Sequence, residues 1–252
     1  MKKLLKKVLK KMGYRLINDR FLLAPFKENK AVVKLNFDHV LCKYMNEKGT
    51  PENFYFLQIG AFDGITCDPL RKCLIKYNWK GVMMEPQPVP FNQFSAEYAG
   101  KSEIKALKAA IAKQLGIADL YTIEGSDVPV WSKGMASFSK ENILKHNYLI
   151  QGLESFIKKV EVDTFSFENI FNTYSFKQLD LLQTDTEGFD AEIIRMFPFD
   201  RIKPGIIHFE SKHIPRTELE KTLALLIMHG YYIATDGEED MMAVLQKEAV
   251  TA

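Results

Sequence analysis

The sequence predicts an α/β fold: a mostly parallel sheet with helices on both faces, closed at its C-terminal end by an antiparallel hairpin. Three stretches predict it. In residues 53–88 an apolar strand, Phe54-Tyr55-Phe56-Leu57-Gln58-Ile59, runs into the turn Gly60-Ala61-Phe62-Asp63-Gly64, then an amphipathic segment, then a second apolar run, Gly81-Val82-Met83-Met84, that stops at Glu85. That is the order of a βαβ unit. In residues 179–190 another apolar strand ends in Asp185 and Glu187, followed by Gly188 and a helical segment. In residues 230–245 two apolar runs flank Asp236-Gly237-Glu238-Glu239-Asp240, the pattern of a closing hairpin.

The elements follow in order. Met1 to Met12 reads as a short basic amphipathic helix, with Leu4, Leu5, Val8, Leu9 and Met12 on one arc and six lysines on the other. It suits either a peripheral contact with anionic lipid or a protein partner, or a solubilising helix packed on the body through its leucines. Residues 1–52 form this helix and an N-terminal lid segment, with His39 and Cys42 as core packing. Lys48-Gly49-Thr50-Pro51 breaks the chain before the main domain, residues 53–252. Residues 70–77 are helical. Pro86 and Pro88 mark a loop, and residues 91–98 have helical spacing. Residues 104–111 form a third strand whose Ala109 and Ala110 leave room for a flat ligand such as adenine, and residues 116–123 return as an extra strand. Residues 125–147 are the least regular part, and a loop of that length in a compact domain is functional or mobile. Its Trp131, Met135 and Phe138 suit an apolar cover over an acceptor substrate or aromatic plugs over a gap. A partly exposed strand at 158–165 and a short helix at 167–174 precede the second carboxylate block. A strand over 205–210, a helix over 218–229 and the hairpin complete the fold.

Composition narrows the function. The chain has 252 residues, 46% hydrophobic and 26% charged, which is ordinary for a globular protein with a packed core. Net charge is +2, and because the first twelve residues hold six lysines and no acid, the remainder carries −4. A mildly acidic body argues against a nucleic-acid substrate. Cys42, Cys67 and Cys73 include no C-x-x-C pair, so neither a disulfide framework nor a zinc site is indicated and a reducing, cytoplasmic setting is expected, with the basic helix able to reach the inner face of the membrane. No stretch approaches the roughly 18 apolar residues of a membrane span.

The glycine turn and Glu85 point to a nucleoside. Glu85 stands at the carboxyl end of the second strand, where a carboxylate accepts hydrogen bonds from ribose hydroxyls. A dinucleotide fold asks for G-x-G-x-x-G so that a helix N-terminus meets a pyrophosphate. Here the spacing is G-x-x-x-G with the anionic Asp63 inside. That charge repels a pyrophosphate and is compatible with an ammonium, so S-adenosylmethionine fits better than a nicotinamide dinucleotide.

These blocks resemble the FkbM-type family of S-adenosylmethionine-dependent methyltransferases. Gln58-Ile59-Gly60-Ala61-Phe62-Asp63-Gly64 with Asp68-Pro69-Leu70 resembles the family's first motif, and Trp79 through Pro86 its second. The stretch from Leu179 to Asp190 is similar to its D-x-x-x-x-D-x-E-G block, and Ile206 to His213 to the strand that follows. The resemblance spans residues 54–246. It departs at Phe62, where many members have asparagine, and at Gln58, where methyltransferases often have an acid. It implies a Rossmann-like class I methyltransferase sheet, with Gln58, Gly60, Ala61, Asp63, Gly64, Glu85, Pro86 and Ala110 at the cofactor, and methyl transfer to a hydroxyl of a sugar, glycan or sugar-containing metabolite.

A neutral alcohol is a poor nucleophile, so such a site needs a group to take its proton. Asp185, Glu187, Glu210 and His213, all at strand ends, are the candidates, and His213 has an ordinary pKa near neutrality. A second version sets Mg²⁺ among Asp185, Glu187 and Glu210, whose hard oxygen atoms suit it. The bland reading of Asp185 and Glu187 is turn and helix capping, with Asp190 the better N-cap. The competing function is a cofactor-binding scaffold without turnover that acts through the N-terminal helix.

Overall fold

The computed structural model describes residues 33–49 and 53–246, so the N-terminal helix read over residues 1–12 lies outside the described residues. Three elements open the chain: β1 (Val33–Lys34), α1 (Phe37–Lys48) and β2 (Tyr55–Ile59). They are followed by α2 (Arg71–Lys76), β3 (Lys80–Met84), α3 (Pro88–Glu97), β4 (Ile104–Leu107), β5 (Ala110–Ile111) and β6 (Gly116–Ile123). Next come β7 (Ala136–Ser137), α4 (Lys140–Leu144), β8 (Ile157–Phe165), α5 (Phe167–Thr173), β9 (Leu181–Thr184) and α6 (Asp190–Met196). The chain closes with β10 (Ile206–Glu210), α7 (Arg216–Met228), β11 (Tyr231–Asp236) and β12 (Asp240–Leu245).

Eight strands form the main sheet in the order β1-β11-β12-β10-β9-β2-β3-β4. All run parallel except β12, which pairs antiparallel with both β10 and β11. The order reverses at β2 and β9: the chain builds outward from β2 to β4, then returns to build from β9 toward β11. In an open parallel sheet the crevice outside such a reversal is where ligands bind.

Both faces of the sheet are covered, and the two-residue period sorts its side chains. Leu57 and Ile59 of β2 join one core with Ile170, Ile193, Ile194, Leu219 and Leu223 of α5, α6 and α7. Phe54 and Phe56 join the other with Phe37, Leu41 and Met45 of α1, Leu74 of α2 and Phe94 of α3. Trp79 is 1% exposed and stacks on Phe54 at 3.9 Å between ring centroids, locking the strand start to the turn before β3.

Local chemistry sets the helix ends. Asn36 caps α1 by accepting from the His39 amide, and Gly49 ends it in the left-handed region. Pro88, read as a loop marker, instead starts α3 at the position where a missing N–H costs nothing. Ser166 and Asn169 form a reciprocal capping box on α5.

Several readings are corrected. His39 and Cys42 are exposed, because the buried face of α1 is Phe37, Leu41 and Met45. The described part of the expected lid segment joins the body. β1 extends the sheet beside β11, and Tyr44 donates to Asp180 at the opposite end of the strands from the crevice. The third strand over 104–111 splits. The Ala109 amide turns back onto the Leu107 carbonyl, so β4 stays on the main sheet while β5 leaves it. β5 joins a second sheet, β5-β8-β6-β7, in which β6 and β8 pair antiparallel from Gly116 opposite Thr164 to Ile123 opposite Ile157. This sheet and the turns around it have their own small core of Ile123, Val128, Met135, Ile143, Ile150 and Leu153. No helix among the described residues is long and apolar enough to cross a membrane.

Gly64 shows how tightly the turn after β2 is held. Its φ is +69°, and a Cβ there would lie 2.9 Å from both Phe94 Cβ and Tyr98 Cε2 of the α3 region. Gly64→Ala is expected to destabilise the protein by about 2–4 kcal/mol, since left-handed strain and overpacking add. A urea unfolding midpoint within error of wild type would contradict this packing.

Candidate active site

The exits of β2, β3 and β9 meet at the reversal point and build a cleft. Gly60 leaves β2 with φ +82°, and a Cβ there would sit 1.9 Å from the Asp185 carbonyl oxygen. The glycine is therefore required by the approach of β9, not by a ligand. Gly60 and Ala61 both donate to the Met84 carbonyl at 3.0 and 2.9 Å, and the Asp185 amide donates to the Ile59 carbonyl at 3.0 Å. Three strand ends are tied at one point.

Glu85 closes β3 inside this cleft and is only 4% exposed. Its Oε2 accepts from the Phe62 amide at 3.0 Å and its Oε1 from the Gln87 amide at 2.9 Å. Burial lifts its pKa to about 7 against those hydrogen bonds. The Gln87 side chain adds to these contacts, and because a carboxylate has about four acceptor sites, capacity remains for a further donor. Around it the cleft is lined by Ile59, Gly60, Pro86, Gln87, Ala109, Ala110, Ile111 and Leu120, with Asp185, Thr186 and Phe189 on the β9 side and Gly134, Ala136, Ser137 and Phe138 from the irregular loop. A buried carboxylate beside small apolar walls is the donor set that suits a ribose and a flat base.

Beyond Phe189 lies a second, open groove of about 610 Å³. Phe189 lines both spaces and meets Phe138 edge-on at 5.2 Å, so the pair forms the partition between them. The groove is lined by Asn142, His146, Tyr148, Glu187, Lys212 and His213, and the His146 and His213 rings meet edge-on at 4.9 Å. His213 Nε2 lies 3.2 Å from Glu187 Oε2 and 3.5 Å from Glu210 Oε1.

The model of the methyltransferase FkbM domain matches residues 58–238, from within β2 to the turn before β12. The chain belongs to the FkbM methyltransferase domain family. Among solved structures it is similar to a methyltransferase FkbM from Methylobacillus flagellatus, at 12% identity and a TM-score of 0.48, over 76% of this chain but 44% of that one, less than half its length. It is also similar to the N-terminal domain of human METTL16 in complex with SAH, at 10% identity, TM-score 0.41 and coverage of 84% and 69%. A third is the Methanococcus jannaschii fibrillarin pre-rRNA processing protein, at 12% identity, TM-score 0.39 and coverage of 88% and 84%. No curated protein sequence matches the chain.

In this FkbM-domain protein the residues singled out by sequence divide between the cleft, the groove and the packing behind them. Gly60, Glu85, Pro86, Ala110 and Asp185 line the cleft together. Gln58 is buried behind it, donating to Asp68 Oδ1 at 3.1 Å. Ala61 is buried in the core shared with α1 and α3, and Gly64 faces α3. Asp63 is engaged by its own turn, accepting from the Ile65 and Thr66 amides and the Thr66 hydroxyl. Glu187 and His213 line the groove, with Glu210 buried beside them. Of the three aromatic and sulfur residues read as a cover, Phe138 reaches the cleft, Met135 is buried in the small core and Trp131 is 52% exposed.

The cluster that sequence reading placed around Mg²⁺ also differs. Glu187 and Glu210 stand together, and the third donor beside them is His213 where Asp185 was expected. Asp185 is open to the cleft mouth while protein surrounds its other sides; that desolvation, then the charges of Asp190 and Glu187, raises its pKa well above the usual carboxylate range. Burial and the neighbouring Asp185 and Glu187 push Glu210 up to about 10.

Asp190, read as a helix cap, is instead fully buried. Its carboxylate accepts from Thr184 Oγ1 at 2.6 Å, Thr186 Oγ1 at 2.8 Å and the Thr186 amide at 3.2 Å, which ties the end of β9 to the start of α6. Phe189 occupies the cap position without a side-chain acceptor. The partition residue Phe189, Gln87 and the second-sheet Leu120 escaped sequence reading. Phe189 sits inside the informative block, where the sequence gives it no role of its own, and no local pattern brings Leu120 to the cleft. Asp190→Ala leaves two threonine hydroxyls without their acceptor and is expected to cost about 2–4 kcal/mol. Thermal unfolding of the variant at wild-type temperature would show that this tie holds nothing.

Proposed function

We propose that the protein is an S-adenosylmethionine-dependent O-methyltransferase acting on a hydroxyl of a sugar or sugar-containing metabolite. The single observation that carries the reading is Glu85: a buried carboxylate, held by two amides with acceptor capacity left over, in one cleft with Ala109, Ala110 and Asp185. Glu85 would hold the ribose hydroxyls and the two alanines the adenine, with Gly60 and Asp185 toward the methionine end. The bound cofactor supplies a methyl group on a positively charged sulfur, already an excellent leaving group. What remains for the chain is alignment and proton removal.

The acceptor enters from the open groove. Its polar lining, with Asn142, His146 and the 81% exposed ring of Tyr148, suits a hydroxyl-bearing ring that stacks on an aromatic face. Asp185 is the base in this reading, because it is the acid on the β9 side of the cleft, where Phe189 separates the cleft from the groove. Its raised proton affinity makes its ionised form a stronger base than an exposed carboxylate. Asp185 would take the proton of the acceptor hydroxyl, leaving that oxygen free to act as the nucleophile. The acidic body supports a small or glycan acceptor over a nucleic acid.

Two outcomes are expected. Asp185→Asn should lower methyl transfer to an accepted sugar by about 10²–10⁴-fold while its affinity for S-adenosylhomocysteine stays within a few-fold of wild type, measured by calorimetry; equal turnover would remove Asp185 from the reaction. The second concerns pH. Glu85 accepts ribose hydroxyls on both oxygens only when ionised, and its pKa lies near 7. Affinity for S-adenosylhomocysteine should therefore be full above that value and fall as pH drops below it, and Glu85→Gln should flatten the profile. A wild-type profile flat from pH 5 to 9 would speak against the ribose contact.

A further inference from the structure

Glu187, Glu210 and His213 present one ligand atom each within 4.8 Å of one another, beside the acceptor groove. The imidazole makes this more than a patch of acids. His213 Nε2 faces two carboxylate oxygens at once, at 3.2 and 3.5 Å. One N–H can point at only one of the two oxygens, whatever the two separations. The separations match the edges of a coordination shell. Ligands about 2.1 Å from a common cation stand about 3.0 Å apart in an octahedron and about 3.4 Å apart in a tetrahedron.

A second observation points the same way. Glu210 is 9% exposed, and while its Oε1 faces His213, its Oε2 is buried with no hydrogen-bond partner among the described residues. A buried carboxylate oxygen without a partner is costly, and a cation is the ligand that satisfies it. The neighbouring acids Asp185 and Asp190 add negative potential that attracts a cation and repels an anion, while Lys212 nearby is paired with Glu239 at 2.7 Å.

We infer that Glu187, Glu210 and His213 bind a divalent cation of the Mn²⁺ class at the edge of the acceptor groove. The donor set decides the class. Two carboxylates suit hard cations, but an imidazole disfavours Mg²⁺ and Ca²⁺, and Mn²⁺ accepts both donor types. Cation binding stands on these three residues alone. Its use, to draw the acceptor's hydroxyl into the groove beside Asp185 and make the proton easier to lose, rests on the methyl-transfer reading above.

The test titrates Mn²⁺ into metal-stripped full-length protein and follows loss of the free-ion signal by electron paramagnetic resonance. About one equivalent should bind, and affinity should fall by at least about 10–100-fold in Glu210→Gln and in His213→Ala. Glu210→Gln keeps the shape of the side chain, so its circular dichroism and melting curve should match wild type even if His213→Ala is less stable. Mg²⁺ in equal amount should fail to displace Mn²⁺. Absence of Mn²⁺ binding, or binding unchanged in a folded Glu210→Gln variant, overturns the site. Calorimetry with S-adenosylhomocysteine on the same samples separates the two readings, because a protein that binds the nucleoside but no Mn²⁺ loses only the metal site.

Discussion

The geometry of the site depends on how closely two strand exits approach each other. Where β2 ends at Gly60 and β9 at Asp185, backbone meets backbone so tightly that a single methyl group on Gly60 would fall 1.9 Å from a carbonyl oxygen. Because of that approach, the Asp185 amide can bond to the Ile59 carbonyl while the Gly60 amide bonds to Met84. The acid ending β3 and the acid ending β9 then open onto one cleft. Had β9 stood a side chain further out, Glu85 and Asp185 would face different spaces, and no single ligand could touch both.

The same convergence carries an electrostatic cost. Asp185, Glu187, Asp190 and Glu210 crowd the exits of β9 and β10; desolvation raises the proton affinity of each, and neighbouring acids add to it for Asp185, Glu187 and Glu210. For Asp190 local donors, Thr184 and the hydroxyl and amide of Thr186, offset part of that cost. The others keep their charge problem. Folded proteins retain such an arrangement where a ligand or a reaction uses it, since clustered carboxylates without a partner reduce stability.

Much of this was legible in the residues. Strand, glycine turn, helix and strand in residues 54–84 are local patterns, and the exits at Glu85 and Asp185 follow from where apolar runs stop. In the structure the two-residue period divides the side chains of β2 between two cores. What could not be read was pairing and packing across the chain. The run 104–111, Ile-Lys-Ala-Leu-Lys-Ala-Ala-Ile, holds no glycine or proline, and nothing in it marks the turn at Ala109 that sends β5 to a separate sheet with β8. Gly60 and Gly64 stand at the cofactor in the sequence reading because a sequence shows only the missing side chain. Which neighbour fills the space, β9 for one and α3 for the other, is a tertiary fact. Asp190 looked like a cap for the same reason: its partners Thr184 and Thr186 are close in sequence, but the direction of its side chain is set by burial under α6.

The most direct measurement is a crystal structure of the protein with S-adenosylhomocysteine. The account predicts the ribose hydroxyls within hydrogen-bonding distance of Glu85, the adenine against Ala109 and Ala110, and the sulfur on the Asp185 side of the cleft. A nucleoside seated elsewhere, or a Glu85 carboxylate turned away from a ribose bound in the cleft, would contradict it.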